Sequence, residues 1–449
     1  MHHYITFFVK IQLKRTQLKK LYLASLGCVK NLIDSEVMLG KLKNEYTLTD
    51  NPGEADLLIV NTCGFINPAK EESIETILEL ANEKKESAVL AVTGCLSERY
   101  KDILPKEIPE VDVWSGVGDF DKIDELVKTK SSKFSPNVYL IHNEERVITG
   151  SSYHAYIKLS EGCNQKCAFC AIPNFKGRLN SREIPEIIEE IKRLKAQGFK
   201  DFSLASQDSS SYLRDKGIKD GLERLIDEID KIEGITVRIL YLYPATTTKR
   251  LIRRIFASPV VENYFDMPIQ HISEKMLKIM RRPGSVEKLK SLLYEMKKEF
   301  SFIRTSVIVG HPGESEEDFE ELKNFIKEFE FDRVNVFAYS DEEDTAAYKR
   351  KDKIPQSIID KRAKEMGKTV KQTTKKALKK YLNKTCRCYL DGLTEDELFY
   401  SVRPKLWAPE IDGDILINES EIENLEIGEL YSVQIETLAG EQLIGKIIK

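Results

Sequence analysis

Apolar runs alternate with amphipathic stretches over the first third of the chain. Three runs have the length and composition of buried strands, and the stretches between them repeat apolar residues at helical spacing. The strand candidates are residues 21–26, 56–62 and 88–93, and the helix candidates are residues 34–42 and 69–84. Strands that alternate with helices predict a parallel α/β domain, which we assign to residues 21–145.

The middle of the chain repeats this alternation six more times. Each strand candidate is preceded or followed by a helical pattern. The six candidates are residues 156–159, 202–205, 237–242, 265–269, 306–309 and 334–339. Six such units predict an open or partial β/α barrel over residues 150–380. A lysine-rich helical stretch at residues 357–382 predicts a connecting helix at the end of this domain.

The helical period disappears in the last part of the chain. Short alternating strand patterns occupy residues 387–390, 398–402 and 431–435. The dipeptides Asp391-Gly392 and Asp412-Gly413 interrupt them, and such dipeptides are typical of turns. Residues 381–449 are therefore predicted to form a small antiparallel β-barrel.

Composition restricts the class of protein. A chain of 449 residues is too long for one ordinary hydrophobic core, and its 41% hydrophobic and 32% charged residues are typical of soluble globular proteins. No run of eighteen apolar residues occurs, so we expect no membrane span and a cytoplasmic location. Residues 1–20 are basic and without a clear period, which predicts either a disordered extension or an upstream start placed before the first strand.

Charge is unevenly distributed although the net charge is only -4. From Lys384 onward the sequence has six Lys and Arg against fourteen Asp and Glu, so residues 381–449 carry a charge of about minus eight. A domain that grips RNA should be basic, because it must displace counterions from phosphates. The acidic barrel favours a basic protein as partner and argues against a direct nucleic-acid substrate. An ordinary solvated acidic face is the alternative interpretation.

Three of the eight cysteines form a compact motif. Cys163, Cys167 and Cys170 have the spacing C-x-x-x-C-x-x-C directly after a predicted strand. Three thiolates can hold three irons of a cubane cluster and leave the fourth iron open for a substrate, unlike four-thiolate electron carriers. A zinc loop is the alternative, but it normally needs a fourth ligand nearby, and no His follows within thirty residues.

Three further cysteines are far apart in sequence but equivalent in position. Cys28, Cys63 and Cys95 each follow the end of a predicted parallel strand. Ligands in such sheets collect beyond the carboxyl ends of the strands, so a second three-cysteine cluster is predicted there. Cys386 and Cys388 are two apart on a predicted strand, face the same side and are interpreted as packing residues.

With Phe169 before its last cysteine, the compact motif resembles the radical S-adenosylmethionine superfamily, in which this aromatic position lies beside the adenine. The resemblance implies that Gln207 and Asp208 contact the methionine end of the cofactor. It also implies that the segment SVIVGHPGE supplies adenine-side contacts, which we assign to Ser306, Gly310 and Glu314. A plain strand-to-helix turn is the alternative for this segment. His271 follows a strand end, where a cofactor contact or catalytic role and a structural hydrogen bond are both open.

Two three-cysteine sets, one on an α/β domain and one on a partial barrel, followed by a small β domain, resemble the methylthiotransferases. The resemblance implies a flavodoxin-like N-terminal domain, a radical S-adenosylmethionine core and a C-terminal TRAM domain. It implies two 4Fe-4S clusters and S-adenosylmethionine as cofactors, with sulfur delivered through the cluster on Cys28, Cys63 and Cys95. No catalytic residues beyond the cluster ligands are required.

Three segments carry a closer resemblance within this family. SLGCVKNLIDSE around Cys28, NTCGFINPAKEESIETI around Cys63 and CAIPNFKGRLNSR from Cys170 are similar to the branch that modifies a ribosomal protein. The positions that match this branch include Lys30, Gly64, Phe65, Phe175 and Lys176. This implies methylthiolation of the β-carbon of an aspartate in the small-subunit protein uS12. The alternative is a tRNA adenosine methylthiotransferase of the same family.

The resemblance also implies partners. These are uS12 or the assembling small subunit, an electron donor such as flavodoxin or ferredoxin, and a sulfur donor that the sequence does not identify. Two other classes of function compete with this interpretation: a ribosome-associated binding module whose cysteines hold structural zinc, and a radical enzyme that transfers electrons or methyl groups without inserting sulfur.

Overall fold

In the computed structural model, which describes residues 18–449, the chain begins with a parallel sheet of five strands. The strands are β1 (Lys19–Ser25), β2 (Tyr46–Leu48), β3 (Leu57–Thr62), β4 (Val89–Gly94) and β5 (Val113–Trp114). The helices are α1 (Val29–Leu42), α2 (Asn67–Glu83), α3 (Cys95–Arg99), α4 (Leu104–Glu107) and α5 (Ile123–Thr129). The strand order β2-β1-β3-β4-β5 is that of flavodoxin-like domains, which confirms the predicted fold of this part.

Burial explains why this sheet forms. Every residue of β3, with the sequence LLIVNT, is buried, because the sheet is covered on both faces. Strand β1 begins at Lys19, two residues before the predicted strand, so the predicted disordered extension was too long at its end. Its remaining residues, 1–17, lie outside the described part of the chain.

The middle of the chain forms a partial barrel. Its strands are β6 (His154–Lys158), β7 (Ser160–Glu161), β8 (Asn180–Ser181), β9 (Asp201–Ala205), β10 (Thr236–Ile239), β11 (Tyr264–Asp266), β12 (Phe302–Val309) and β13 (Arg333–Ala338). Its helices are α6 (Ile172–Lys176), α7 (Ile184–Ala196), α8 (Gly221–Ile229), α9 (Lys249–Phe256), α10 (Glu274–Ile279), α11 (Val286–Met296), α12 (Glu316–Phe329) and α13 (Gln356–Leu378).

Six of these strands run parallel in two sheets, β10-β9-β6 and β11-β12-β13. One isolated parallel bridge joins Val237 of β10 to Val261, which precedes β11. All six predicted strands are present, so the predicted partial β/α barrel is confirmed. A capping box between Ser315 and Asp318 starts α12 and fixes the turn that follows β12. The predicted connecting helix is α13, which packs on β13 and α12.

The C-terminal part closes into a barrel of five strands. They are β14 (Thr385–Leu393), β15 (Tyr400–Pro404), β16 (Ile415–Ser420), β17 (Leu430–Ala439) and β18 (Gln442–Ile448), in the order β14-β15-β16-β18-β17. All neighbouring pairs are antiparallel except β16 and β18, which are parallel. The predicted small antiparallel barrel is therefore confirmed, with this one parallel pair. Directions cannot alternate around a closed ring with an odd number of strands.

Two further sequence predictions concern this barrel. Cys388 is buried in its core and Cys386 packs against that core, which confirms their interpretation as packing residues. Asp391-Gly392 does not form a turn between strands as predicted. Both residues belong to β14, where the register shifts between Leu390 and Gly392 in a β-bulge.

The C-terminal barrel packs against the amino-terminal ends of the partial-barrel strands. Asp201, the first residue of β9, lies 2.8 Å from the guanidinium of Arg403. Thr236, the first residue of β10, shares a hydrogen bond of 2.8 Å with the Tyr389 hydroxyl. The carboxyl-terminal ends of the strands therefore face the other way, toward the N-terminal domain. No helix among residues 18–449 is long and apolar enough to cross a membrane.

Candidate active site

All six predicted cluster cysteines line one cavity of about 480 Å³. Its walls come from the N-terminal domain on one side and from the mouth of the partial barrel on the other. The cysteines are Cys28, Cys63 and Cys95 from the first domain, and Cys163, Cys167 and Cys170 from the second. The structure thus brings together, in one space, two sets that are separated by 68 or more residues of sequence.

The N-terminal set sits at the carboxyl edge of the sheet, as the strand pattern predicts. Cys28 precedes α1, Cys63 directly follows β3, and Cys95 directly follows β4. The buried amide of Asn31 connects their turns, because its nitrogen donates to the carbonyls of Leu26 at 3.1 Å and Thr62 at 3.0 Å. The Cys95 thiol lies 3.6 Å from the Asn31 amide oxygen. Asn31 was not assigned from the sequence.

The second set lies on the loop between β7 and α6. Gly162 has a φ of 72°, and a Cβ there would lie 2.1 Å from the Arg178 carbonyl oxygen, so only glycine fits at the start of this loop. The backbone N–H of Ala168 donates to the Met280 carbonyl at 2.9 Å. The Cys167 thiol lies 3.6 Å from the Arg282 guanidinium and 3.7 Å from the Tyr243 hydroxyl. Backbone and side-chain contacts therefore both hold the loop.

Burial and nearby charge set the pKa values of the thiols. Burial raises the pKa of Cys28, but the positive charges of Lys30 and Lys176 and two backbone hydrogen bonds more than offset it, and the pKa lies below its ordinary value. Burial raises the pKa of Cys63 and Cys163 to about 11. Those two thiols keep their protons at neutral pH unless a metal displaces them.

The spacing of the thiols in each set is looser than that of a single-ion site. Among residues 18–449, no three His, Cys, Asp or Glu side chains lie close enough together to hold one metal ion. The charges of the thiols in each set nevertheless act on one another's pKa. A cubane distributes its thiolate ligands over separate irons, so it needs three thiols around a space rather than around a point.

A buried charge network joins the two domains beneath the cavity. The Lys158 ammonium donates to the carboxylates of Asp34 on α1 and Glu161 on β7. Lys176 lies 3.3 Å from Asp34 and 3.6 Å from Glu161. Burial by itself would raise the pKa of Glu161, but the two lysines hold it at about 2. Buried charges are tolerated only when paired, and through Asp34 these pairs link α1 to the partial barrel.

Three of the predicted cofactor contacts line the cavity, namely Phe169, Gln207 and Ser306. Gln207 donates to Glu161 at 3.0 Å, which fixes its side chain at the wall. Asp208 lies behind the wall, buried, and accepts hydrogen bonds from Gln165 at 2.8 Å and from the Ser211 hydroxyl at 2.6 Å.

The other three predicted contacts do not line the cavity. The ring of His271 lies 3.3 Å from the Glu314 carboxylate, which also accepts from the backbone N–H of Gly310 at 2.8 Å. Arg362 on α13 lies 2.6 Å from the same carboxylate. These contacts tie the turn after β12 to α13. Of the two roles left open for His271, the structural hydrogen bond is the one that the structure contains, and a cofactor contact for this group stays a prediction.

Comparison with known proteins decides the family. Residues 20–116 match the Uncharacterized protein family UPF0004, residues 157–326 match the Radical SAM superfamily, and residues 384–448 match the TRAM domain. The ribosomal protein uS12 methylthiotransferase RimO of a Nitratiruptor species is 59% identical over 96% of this chain and 99% of its own length. RimO of Aliarcobacter butzleri is 56% identical over 96% of this chain and 98% of its own length. This chain belongs to the RimO family.

Membership of the RimO family agrees with the fold. The radical S-adenosylmethionine methyltransferase TsrM from Kitasatospora setae has a solved structure similar to 72% of this chain and 74% of its own, with a TM-score of 0.53 at 13% identity. A second TsrM structure contains cobalamin and a 4Fe-4S cluster and has a TM-score of 0.52 at 14% identity. At such identities the likeness concerns the fold alone. The superfamily match establishes S-adenosylmethionine and 4Fe-4S chemistry, and it favours a radical enzyme over a zinc-binding module.

The cavity of this RimO-family chain also contains polar residues that sequence analysis left unassigned. They include Asn31, Tyr241, Asp266 and Arg304. Two signals could have found some of them. Asn31 lies three residues after Cys28, and Arg304 is a lone charge within the apolar strand sequence FIRTSVIV. Tyr241 has a left-handed φ of 59°, which no sequence pattern at that position indicates.

Proposed function

We propose that this chain transfers a methylthio group to the β-carbon of an aspartate in ribosomal protein uS12. The observation that carries the proposal is that both three-cysteine sets line one cavity. A radical generated at one set and a sulfur carried at the other can then reach the same substrate carbon. The relatives named for uS12 methylthiolation, which cover nearly the whole chain, support the choice of substrate.

The residues present fit the two clusters. Cys163, Cys167 and Cys170 would hold the cluster that binds S-adenosylmethionine, and Cys28, Cys63 and Cys95 would hold the auxiliary one. When bound, these groups supply the electron, the radical and the sulfur of the reaction. Phe169, Gln207 and Ser306 line the cavity wall and would contact S-adenosylmethionine.

The chain's own side chains orient and enclose the reactants. Arg282 lies 4.3 Å over the Tyr243 ring, and both approach Cys167, so the loop of the second set has a fixed wall beside it. Phe65 and Phe337, from the two domains, line the cavity and give it apolar walls on both sides. The protein's contribution is therefore position and a dry, shaped space rather than acid–base chemistry.

The acidic C-terminal barrel is proposed to attract the substrate protein. Glu395, Asp396 and Glu397 are consecutive and exposed, whereas Arg403, one of the few cations of this barrel, is buried against the partial barrel. The surface is therefore short of compensating positive charge. Such a face raises the encounter rate with a basic protein and repels RNA phosphates. It lies opposite the cavity mouth, so it would hold a part of the substrate distant from the reacting aspartate.

The reaction needs partners that are proposed here on chemical grounds. A one-electron donor of the flavodoxin or ferredoxin type would reduce the first cluster. Free uS12 or the assembling small subunit would present the aspartate. Because ribosomal proteins are made and assembled in the cytoplasm, we place the reaction there.

The test is mass spectrometry of both candidate substrates after one reaction. Anaerobically reconstituted enzyme is incubated with S-adenosylmethionine, sulfide and a reductant, together with uS12 and prenylated tRNA. We expect a methylthio mass gain on an aspartate of uS12 and none on the tRNA. A gain on the tRNA alone would contradict the proposal.

Two cysteine variants make this test specific. Cys95→Ser should abolish the mass gain while S-adenosylmethionine cleavage continues, because it removes a ligand of the auxiliary cluster only. Cys386→Ser, which changes a half-buried cysteine of the C-terminal barrel, should behave like the unchanged enzyme. If Cys95→Ser still modifies uS12, sulfur does not pass through the N-terminal set.

A further inference from the structure

Two cations from different domains face the same part of the cavity without a hydrogen-bond acceptor. The first is Lys30 on α1, which is only 9% exposed. Its ammonium lies 3.8 Å from the centre of the Tyr241 ring. Within residues 18–449 it makes no other contact at hydrogen-bond or ion-pair distance. A buried ammonium normally has an anionic or carbonyl partner, since losing its water is costly.

The second cation is Arg304 on β12. Its guanidinium lies 3.6 Å from the Asp266 carboxylate and 3.9 Å from the Asp412 carboxylate. Both separations are too long for hydrogen bonds. Its Nη1 atom is buried without a hydrogen-bond partner in the described part of the chain. Arginine usually binds carboxylates through two parallel hydrogen bonds, so this guanidinium is held in place but not saturated.

Tyr241 and Asp266 lie between these cations. The backbone N–H of Tyr241 donates to the Asp266 carboxylate at 3.2 Å, and the Tyr241 ring carries the Lys30 ammonium on its face. The left-handed φ of Tyr241 is a strained conformation for a tyrosine, and such strain is concentrated at functional sites. Lys30, Tyr241, Asp266 and Arg304 all line the cavity that holds the six cysteines.

We propose that Lys30 and Arg304 bind the carboxylate of the substrate aspartate and so make the enzyme specific for aspartate. The proposal rests on the function proposed above. An aspartate that enters the cavity loses the water around its carboxylate, and two unsaturated cations replace that water with charge-assisted hydrogen bonds. An asparagine has no charge to offer and would leave both cations as they are in the free protein.

A rival role for Lys30 is to neutralise the cluster beside it, because its charge also acts on Cys28. The two roles differ in a measurable way. A residue that only neutralises the cluster should affect the binding of aspartate and asparagine forms of uS12 equally. A residue that binds the substrate carboxylate should affect the aspartate form alone.

The experiment measures binding of uS12 and of uS12 with the target aspartate changed to asparagine. Each is titrated anaerobically against reconstituted full-length enzyme, and iron and sulfide are determined in every sample. We expect the unchanged enzyme to bind the aspartate form about tenfold more tightly. Lys30→Met should remove most of this preference. Lys41→Met, an exposed lysine on the same helix, should retain it.

Arg304→Gln gives an independent comparison, because Arg304 lies outside the domain that carries Cys28. This comparison remains valid even if Lys30→Met loses iron. Arg304→Gln should also reduce the preference of the enzyme for the aspartate form of uS12. The inference is wrong if the unchanged enzyme binds both forms equally, or if Arg304→Gln and an iron-replete Lys30→Met keep the full preference. In those cases uS12 is still modified and the proposed function stands. If the unchanged enzyme neither binds nor modifies uS12, the proposed function falls as well.

Discussion

The turn that carries Cys28 leaves no room for a side chain at Gly27. Gly27 has a φ of 88°, and a Cβ there would lie 2.7 Å from the Cys63 Cβ and 2.8 Å from the Cys63 sulfur. Carbon atoms in contact normally stay about 3.5–4.0 Å apart, so Gly27→Ala must push Cys63 away by roughly 1 Å. The left-handed conformation adds about 1–2 kcal/mol of strain. Metal–ligand distances tolerate only about 0.2 Å, so the auxiliary cluster should not assemble.

The assay is the iron and sulfide content of the anaerobically reconstituted variant. We expect iron to fall from about eight to about four atoms per chain. Methylthio transfer should be lost, and S-adenosylmethionine cleavage should continue. Gly217→Ala is the matched control, since Gly217 has a φ of 77° and nothing within 4 Å of its added Cβ. It carries the same backbone strain without the collision. Full iron content in Gly27→Ala would refute the reasoning that this close approach holds Cys63 in place.

Three further predictions test the domains and their contacts. Burial of His154 lowers its pKa in the folded state to about 3. Below pH about 6.5, the ordinary histidine pKa, the unfolded state therefore binds a proton that the folded state does not bind. The free energy of unfolding should therefore fall by about 2 kcal/mol between pH 7.5 and pH 5. Urea unfolding should show a smaller decrease over the same pH range for His154→Gln. Glu342 lies 2.9 Å from both Lys70 and Arg99 and so joins the partial-barrel domain to the N-terminal domain. Glu342→Gln should lower the free energy of unfolding by about 3 kcal/mol and speed proteolysis between the domains. Unchanged stability would contradict a role for these buried ion pairs. Replacing residues 395–397 with Gln should slow association with uS12 about threefold at low salt and hardly at all at high salt, which stopped-flow fluorescence can measure. An equal effect at both salt concentrations would contradict electrostatic steering.

Local sequence patterns were sufficient for much of the fold. The apolar runs of β3, β4 and β12 are long enough, and flanked clearly enough by helical patterns, to be placed from sequence alone. The spacing of Cys163, Cys167 and Cys170 is local and needs no fold to be recognised. The positions of Cys28, Cys63 and Cys95 could be related to one another because the carboxyl ends of parallel strands meet at one edge of a sheet.

Other features depend on contacts that no local pattern contains. The parallel pairing of β16 with β18 follows from closing a ring of five strands, and the bulge at Gly392 follows from its register with β15. His271 and Glu314 have sequence positions typical of cofactor contacts. Their side chains instead pair with each other and with Arg362 from a helix that follows much later in the chain.

The order of the elements, the two cysteine sets and the chemistry that those sets can support could all be predicted from the amino-acid sequence. The folded chain alone shows that both sets share one cavity and that Lys30 and Arg304 both line it. The physical reason is that hydrophobic periodicity records which face of a strand or helix is buried, but not which other domain buries it. The packing of the two domains, stabilised in part by the ion pair of Lys158 with Asp34, supplies that information.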